Sequence, residues 1–203
     1  GECWGGGTAT IMILGDTCTR GCRFCAVTTG KPPETDWAEP ARVADMISKM
    51  GLDYVVITSV NRDDMADGGS EIFARTIRAT RVRQPELLIE VLTPDFAGNM
   101  EAVGRVVAAG PDTFAHNVET VERLQRTVRD ARATWKQSLA VLELAKLQAV
   151  RSYALTKTSI MIGVGETKEE VVDAMRQLRG VGCDVVTFGQ YLRPTAKHLP
   201  VAE

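Results

Sequence analysis

Three of the five cysteines stand within eight residues, in the run Cys18-Thr-Arg-Gly-Cys22-Arg-Phe-Cys25, a C-x3-C-x2-C spacing. Thiolates are soft ligands, and three on one short loop suit a metal centre. A structural zinc site is one such centre, but it ordinarily adds a fourth Cys or His in paired spacing. The only histidines, His116 and His198, are remote in sequence and show no ligand spacing. Three thiolates fit a cubane iron–sulfur cluster better, because they hold three irons and leave the fourth open to activate a small molecule. An odd cysteine count in a chain of 203 residues argues against a disulfide framework. Cys183 precedes an apolar run and reads as a buried thiol.

Such a loop has to be carried by regular elements, and the chain alternates strand and helix patterns with little interruption. Apolar runs at Thr8–Gly15, Tyr54–Thr58, Leu87–Leu92, Thr113–His116, Thr156–Ile162 and Val185–Phe188 are rich in Val, Ile and Thr, as buried parallel strands are. Helical spacing lies between them, in Val43/Met46/Ile47/Met50 with Gly51 as a stop, Ile72/Phe73/Ile77, Met100/Val103/Val106/Val107 and Leu139/Leu142/Ala145. A capping box, Thr167-Lys-Glu-Glu170, opens a further helix through Val171, Met175 and Leu178. Six βα units with right-handed crossovers predict an α/β fold, a partial (β/α)6 TIM-like barrel, with a doubly wound open sheet as the alternative. No linker divides residues 1–203, which predicts one domain. Every predicted strand ends in polar or glycine residues, the first in the cysteine triplet, and six such loops on one face predict an active-site mouth.

The bulk numbers exclude several classes. With 44% hydrophobic residues, 25% charged residues and a net charge of −2, the chain is not intrinsically disordered and gives no global reason to expect nucleic acid. No run of about 20 apolar residues exists, so a membrane helix is not expected. Gly1 opens inside a cysteine-bearing segment, which suggests a fragment or a processed product.

The triplet on the loop after the first barrel strand resembles that of radical S-adenosylmethionine (SAM) enzymes. The resemblance implies a [4Fe–4S] cluster whose open iron chelates the amino and carboxylate groups of SAM. It also implies one-electron cleavage of the sulfonium to a 5′-deoxyadenosyl radical, with Phe24 near the adenine. The segments GECWGGGTATIMILGDTCTRGCRFCAV, VVITSVNRDDMADGGS, EVLTPDF, FAHNVETVERLQRTVRDARATWKQSL, TKTSIMIGVGET and TFGQYLRPTAKHLPV are similar to those of the lipoyl synthase family. That family implies a sulfurtransferase of lipoate biosynthesis and protein lipoylation, inserting sulfur at C6 and C8 of an octanoyl chain on a lipoyl carrier domain (a 2-oxoacid dehydrogenase E2 or a glycine cleavage H protein). It further implies an electron donor such as ferredoxin or flavodoxin, and a reducing compartment: cytoplasm, mitochondrial matrix or plastid stroma. An auxiliary [4Fe–4S] cluster, held by a C-x4-C-x5-C segment and a serine of an Arg-Ser-Ser-Tyr segment, is the family's sulfur source. Cys3 matches only the last of those cysteines, so the chain is expected to hold the SAM cluster but not the complete auxiliary site. Biotin-synthase-like chemistry and a non-catalytic iron–sulfur protein are the alternatives.

The same resemblance implies that Ser59, Asn61 and Asp63 meet the methionyl amine and that Asn117 and Glu119 meet the ribose. A loop turn and helix capping, respectively, are their structural alternatives. Gly163-Val-Gly-Glu166 either admits the adenine close to the backbone or makes a tight turn. Arg123, Arg126, Arg129, Arg132 and Lys136 form a basic cluster that is a carrier-docking face, a partner for the SAM carboxylate or a solvated helix face. Arg193 and Lys197 carry the same alternatives. Lys157 lies on a predicted strand and requires a partner. Trp4, Trp37 and Trp135 read as packing residues.

Overall fold

The computed structural model describes residues 7–149 and 154–202. Among the described residues the strands are, in order, β1 (Thr8–Ile13), β2 (Thr17–Cys18), β3 (Thr28–Thr29), β4 (Tyr54–Ser59), β5 (Leu88–Leu92), β6 (Thr113–Ala115), β7 (Leu155–Ile162) and β8 (Val185–Gln190). The helices are α1 (Glu39–Lys49), α2 (Ser70–Arg83), α3 (Met100–Ala108), α4 (Gln125–Val128), α5 (Trp135–Ala149) and α6 (Lys168–Gly180). Six strands form one all-parallel sheet in the order β1-β4-β5-β6-β7-β8. The order runs in one direction only. A doubly wound sheet reverses at a switch point, so that alternative is excluded. Among the described residues β1 and β8 are not paired with each other, and the barrel is therefore partial.

Alternation along the strands sorts the core. Ile13, Val55, Ile57, Ile89, Val91 and Phe114 are fully buried and pack with Ile47 of α1, Ile72, Phe73 and Ile77 of α2 and Val103, Val106 and Val107 of α3. Ile160 of β7 joins Leu142 of α5, Leu178 of α6, Val118, Val121 and Val128 in a second cluster. In α1 the buried seam is Pro40, Ala44 and Ile47. Met46, expected on it, is 42% exposed. The small Ala44 brings the helix close to the sheet along that seam, and Met46 falls outside it. Trp135 is buried, with its indole N–H on Gln177 Oε1 at 2.7 Å. Trp37 instead lies on the surface, and Arg75 stacks on it at 5.1 Å. Trp4 and Cys3 lie outside the described residues. The capping box forms as read: Glu170 N donates to Thr167 Oγ1 and Thr167 N donates to Glu170 Oε2.

The first strand stops two residues before the expected Gly15. Leu14 takes φ +67°, gives its N–H to Glu39 Oε2 at 2.9 Å, and its carbonyl accepts from Arg62 Nη1 at 3.3 Å. The chain thus leaves the sheet and turns toward the cysteine loop. Gly69 permits that turn: at φ +88° it lies against Leu14 Cδ1 so closely that a Cβ there would overlap it.

Candidate functional site

The cysteine loop hangs between two short strands. β2 and β3 pair in parallel, and Gly30 N donates to Cys18 O at 2.9 Å. The far side of the loop is tied to the segment after α4. Arg23 N donates to Val128 O at 2.9 Å, Gly21 N to Asp130 Oδ2 at 3.0 Å, and Asp130 N to Cys22 Sγ at 3.4 Å. The segment after β8 closes over it, with Leu199 N on Arg23 O at 3.2 Å and His198 Nε2 on Cys25 O at 3.0 Å.

Cys18, Cys22 and Cys25 are free, half-buried thiols that line one cavity of about 310 Å³ at the C-terminal ends of the strands. Phe24, Ser59, Asn61, Asn117 and Glu119 line it too, so the structure gathers those expected site residues together. Asp63 is the exception. It is absent from the lining and engaged with Arg20 and Thr19. Cys183 is half-buried and far from this loop in its contacts, its Sγ donating to Val185 O at 3.4 Å.

The donor set fits a cluster. Two of the three sulfurs already accept a backbone N–H, Cys18 Sγ from Arg20 and Cys22 Sγ from Asp130, as ligating thiolates do. Among the described residues no three Cys, His, Asp or Glu side chains stand close enough to share a single ion. Burial pushes the Cys22 and Cys25 thiols above their ordinary pKa, so ligation has to displace protons.

Glu119 sits at φ +66° at the mouth, bridged to Ile160. Burial pushes its carboxyl up, and Arg129 and Asn117 oppose the shift. Neither Asn117 nor Glu119 caps a helix, because the following 3-10 turn starts after Val121 with no side-chain cap. The capping alternative therefore fails for both.

Sequence reasoning missed Arg20, placed Asp95 and His116 only as strand-end residues of the predicted mouth, and offered Arg129 the SAM carboxylate only as one alternative for its cluster. All four line the cavity. His116 Nδ1 faces the carbonyl of Thr93 at 2.9 Å, an acceptor only, so Nδ1 carries the proton. Nε2 then accepts from Ser138 Oγ at 2.9 Å, and Ser138 Oγ accepts from Arg129 Nη1 at 2.9 Å. Burial, with Arg129 nearby, lowers the His116 pKa from 6.5 to about 4, which keeps the ring neutral. Arg129 also donates to Gln125 Oε1, yet among the described residues no carboxylate lies within ion-pair distance of it. The only sequence signals for these residues were their positions: Arg20 between two cysteines, Asp95 and His116 at strand ends.

The basic cluster does not form one face. Arg129 points inward, Arg123 pairs with Glu170, and Arg132 pairs with Asp130 and Asp63. Lys157 finds its partner in Glu90 at 2.9 Å, and Tyr54 donates to the same carboxylate at 2.6 Å. Gly163-Val-Gly-Glu166 is a tight turn in which the Glu166 carboxylate accepts from Gly163 N at 2.6 Å and Val164 N at 3.0 Å. Arg193 bonds backbone carbonyls of its own segment, including His198 O at 2.9 Å.

Among known proteins, the mitochondrial lipoyl synthase of Phytophthora infestans is 58% identical over 207 residues, covering 99% of this chain and 54% of that protein. The lipoyl synthase of Thermus thermophilus is 58% identical over 203 residues, covering 100% of this chain and 62% of that protein. The chain therefore spans a little over half the length of these relatives. Relatives of similar identity are mitochondrial, chloroplastic and bacterial proteins. The fold matches the FeFe-hydrogenase maturase HydG of Carboxydothermus hydrogenoformans with a TM-score of 0.74 at 16% identity, over 95% of this chain and 46% of that one. It also matches methylornithine synthase with a TM-score of 0.70 at 16% identity, over 93% of this chain and 55% of that one. Residues 12–178 match the family model of the Radical SAM superfamily. With the cysteine triplet seated at the mouth of its partial parallel barrel, the chain belongs to the Radical SAM superfamily.

Proposed function

We propose that this chain is the catalytic core of a lipoyl synthase, acting on an octanoyl chain carried by a lipoyl domain. The observation that carries the reading is the convergence of Cys18, Cys22 and Cys25 on one cavity in a chain similar to lipoyl synthases from end to end. When bound, a [4Fe–4S] cluster with SAM supplies one-electron reduction of the sulfonium and hence hydrogen abstraction from an unactivated carbon.

The chain's own residues orient and shield that chemistry. Cys18, Cys22 and Cys25 hold three irons. Ser59, the last residue of β4, and Asn61, on the turn after it, line the cavity with hydroxyl and amide groups suited to an ammonium. Arg129 offers a buried guanidinium with no carboxylate within ion-pair distance among the described residues, the counter-charge for the amino-acid carboxylate of SAM. Asn117 and Glu119 present an amide and a carboxylate to ribose hydroxyls, and Phe24 offers a ring to the adenine. Met12, Leu92 and Val60 give the cavity an apolar side that excludes water from the reacting carbon. Cys3 belongs in this reading to an auxiliary sulfur-donor cluster, and a ferredoxin or flavodoxin supplies electrons in a reducing compartment. Among the described residues no helix is long and apolar enough to cross a membrane.

Anaerobic reconstitution of the chain with iron and sulfide tests this. The expected result is about four irons per chain at this site, and 5′-deoxyadenosine formed from SAM after reduction. Perdeuterated octanoyl-lysine peptide is expected to place deuterium in that product. Cys22→Ala should abolish all three. SAM cleavage with no deuterium transfer from the octanoyl peptide would move the substrate assignment to another member of the superfamily.

A further inference from the structure

We propose that Arg20 is a positioning residue. It locks the first half of the cysteine loop to the ends of β4 and β5, and Asp63 and Asp95 are the two jaws of that clamp. Arg20 is only 3% exposed, although it sits between two cysteines on a loop at the cavity mouth. Four of its five N–H donors meet carboxylate oxygens. Nε and Nη2 take Asp63 as a fork at 2.9 and 2.7 Å, and Nη1 donates to Asp95 Oδ2 at 2.8 Å. Nη2 also stands 2.7 Å from Asp95 Oδ1. Burial pulls its pKa down, but the two carboxylates outweigh that and hold it above its ordinary value. A guanidinium so engaged has its charge matched by two carboxylates and keeps only one Nη1 N–H unassigned. This is the opposite of Arg129, and it removes Asp63 from the set available to SAM.

Both jaws are themselves fixed. Asp63 Oδ2 accepts from Thr19 Oγ1 at 2.7 Å, and Asp63 N donates back to Thr19 Oγ1 at 3.1 Å. Asp95 is 1% exposed, and its Oδ1 accepts from Ala97 N at 3.0 Å. The turn behind Asp95 holds two successive non-glycine residues in the left-handed region, Phe96 at φ +48° and Ala97 at φ +51°. Such a conformation persists only where its surroundings dictate it. Here Phe96 is wedged edge-on against Phe73, with centroids 6.2 Å apart, and the wedge aims Asp95 at Arg20. The other ties of the loop, to Val128, Asp130 and His198, grip residues 21–25. For residues 18–20 the clamp adds to the Thr19 N–Asn61 O bond, to Arg132 Nη2 on Thr19 O at 2.7 Å, to Thr29 Oγ1 on Arg20 O at 3.0 Å and to the β2/β3 pairing. A lysine carries the charge but cannot span two carboxylates with a planar fork.

The clamp stands whatever the thiols hold, so it is read first on the metal-free chain. Hydrogen–deuterium exchange of Arg20→Lys should show amides of residues 18–21 opening at least tenfold faster, with the β5 to β7 core unchanged. After reconstitution, the variant's iron should pass to a chelator at least tenfold faster than that of the unsubstituted chain. Asp95→Asn, which keeps the Asp63 jaw, should show the same pattern more weakly, and it decides the question if Arg20→Lys does not fold. Loop exchange unchanged in the folded variants, or raised equally across the whole sheet, would overturn the proposal. Failure of iron to bind even the unsubstituted chain would count against the cluster reading and leave the exchange result to judge the clamp.

Discussion

Two guanidinium groups reach one cavity with opposite bonding, and the difference predicts opposite mutational behaviour. Arg20 joins two carboxylates whose side chains are 18% and 0% exposed. Removing one side of a buried pair strands the other charges, at about 3–5 kcal/mol. Arg20→Met is therefore expected to lower Tm by roughly 6–20 °C, at 2–4 °C per kcal/mol for a chain of this size. Arg129 is buried with no carboxylate within ion-pair distance among the described residues, and burial lowers its pKa against the more distant charges of Glu119 and Asp95. Arg129→Met should leave Tm unchanged or raised in differential scanning calorimetry. Its effect falls on SAM instead, which should bind about ten- to hundredfold more weakly to the reconstituted chain, the worth of a charged hydrogen bond. Equal losses of stability in the two variants would contradict this division of roles.

At the scale of elements, the site depends on where each strand stops. β1 stops at Ile13 because Leu14 turns to positive φ against Gly69, so the glycine that opens α2 also sets where the cysteine loop begins. Gly69→Ala is expected to destabilise by at least about 1–3 kcal/mol, since the residue sits at positive φ and its Cβ meets a buried leucine. Urea melts would show it as a lower midpoint at unchanged slope. α6 offers a contrast away from the site: Thr167→Ala deletes one arm of a capping box and should remove about 1 kcal/mol while leaving iron loading untouched. Hydrophobic periodicity disclosed these elements because each buries one face, and all six strands of the parallel sheet lie within two residues of the apolar runs at both ends. It misplaced Met46, because two adjacent helical stripes look alike until the sheet selects one.

Across the whole molecule, the buried polar groups couple stability to pH. His116 titrates near 6.5 when unfolded and at about 4 when folded, so the unfolded chain takes up its proton first. Stability is full above pH 6.5 and falls as pH drops toward 4, by roughly 3 kcal/mol for this group at order of magnitude. Asp63 and Asp95, held by Arg20 below their ordinary value, lose their contribution at still lower pH. A Tm profile from pH 7 to 4 should decline, and His116→Gln should flatten it. A profile as steep in the variant would place the titration elsewhere.

What the sequence by itself determined is local and periodic. The C-x3-C-x2-C spacing puts three thiolates on one short loop, and the βα alternation commits the chain to a parallel sheet with that loop at its C-terminal edge. Asn117 and Glu119 could be placed at a strand end from the same pattern. Which charges face the cavity was decided only by tertiary structure. Arg129, 107 residues from Cys22, reads in sequence as one of a basic cluster with a docking face, the SAM carboxylate and a solvated helix face as its alternatives, and Asp63 reads as a group for the methionyl amine. Their fates depend on which opposite charge the fold brings within 3 Å, and a buried ion's partner is selected by three-dimensional proximity that no spacing along the chain encodes.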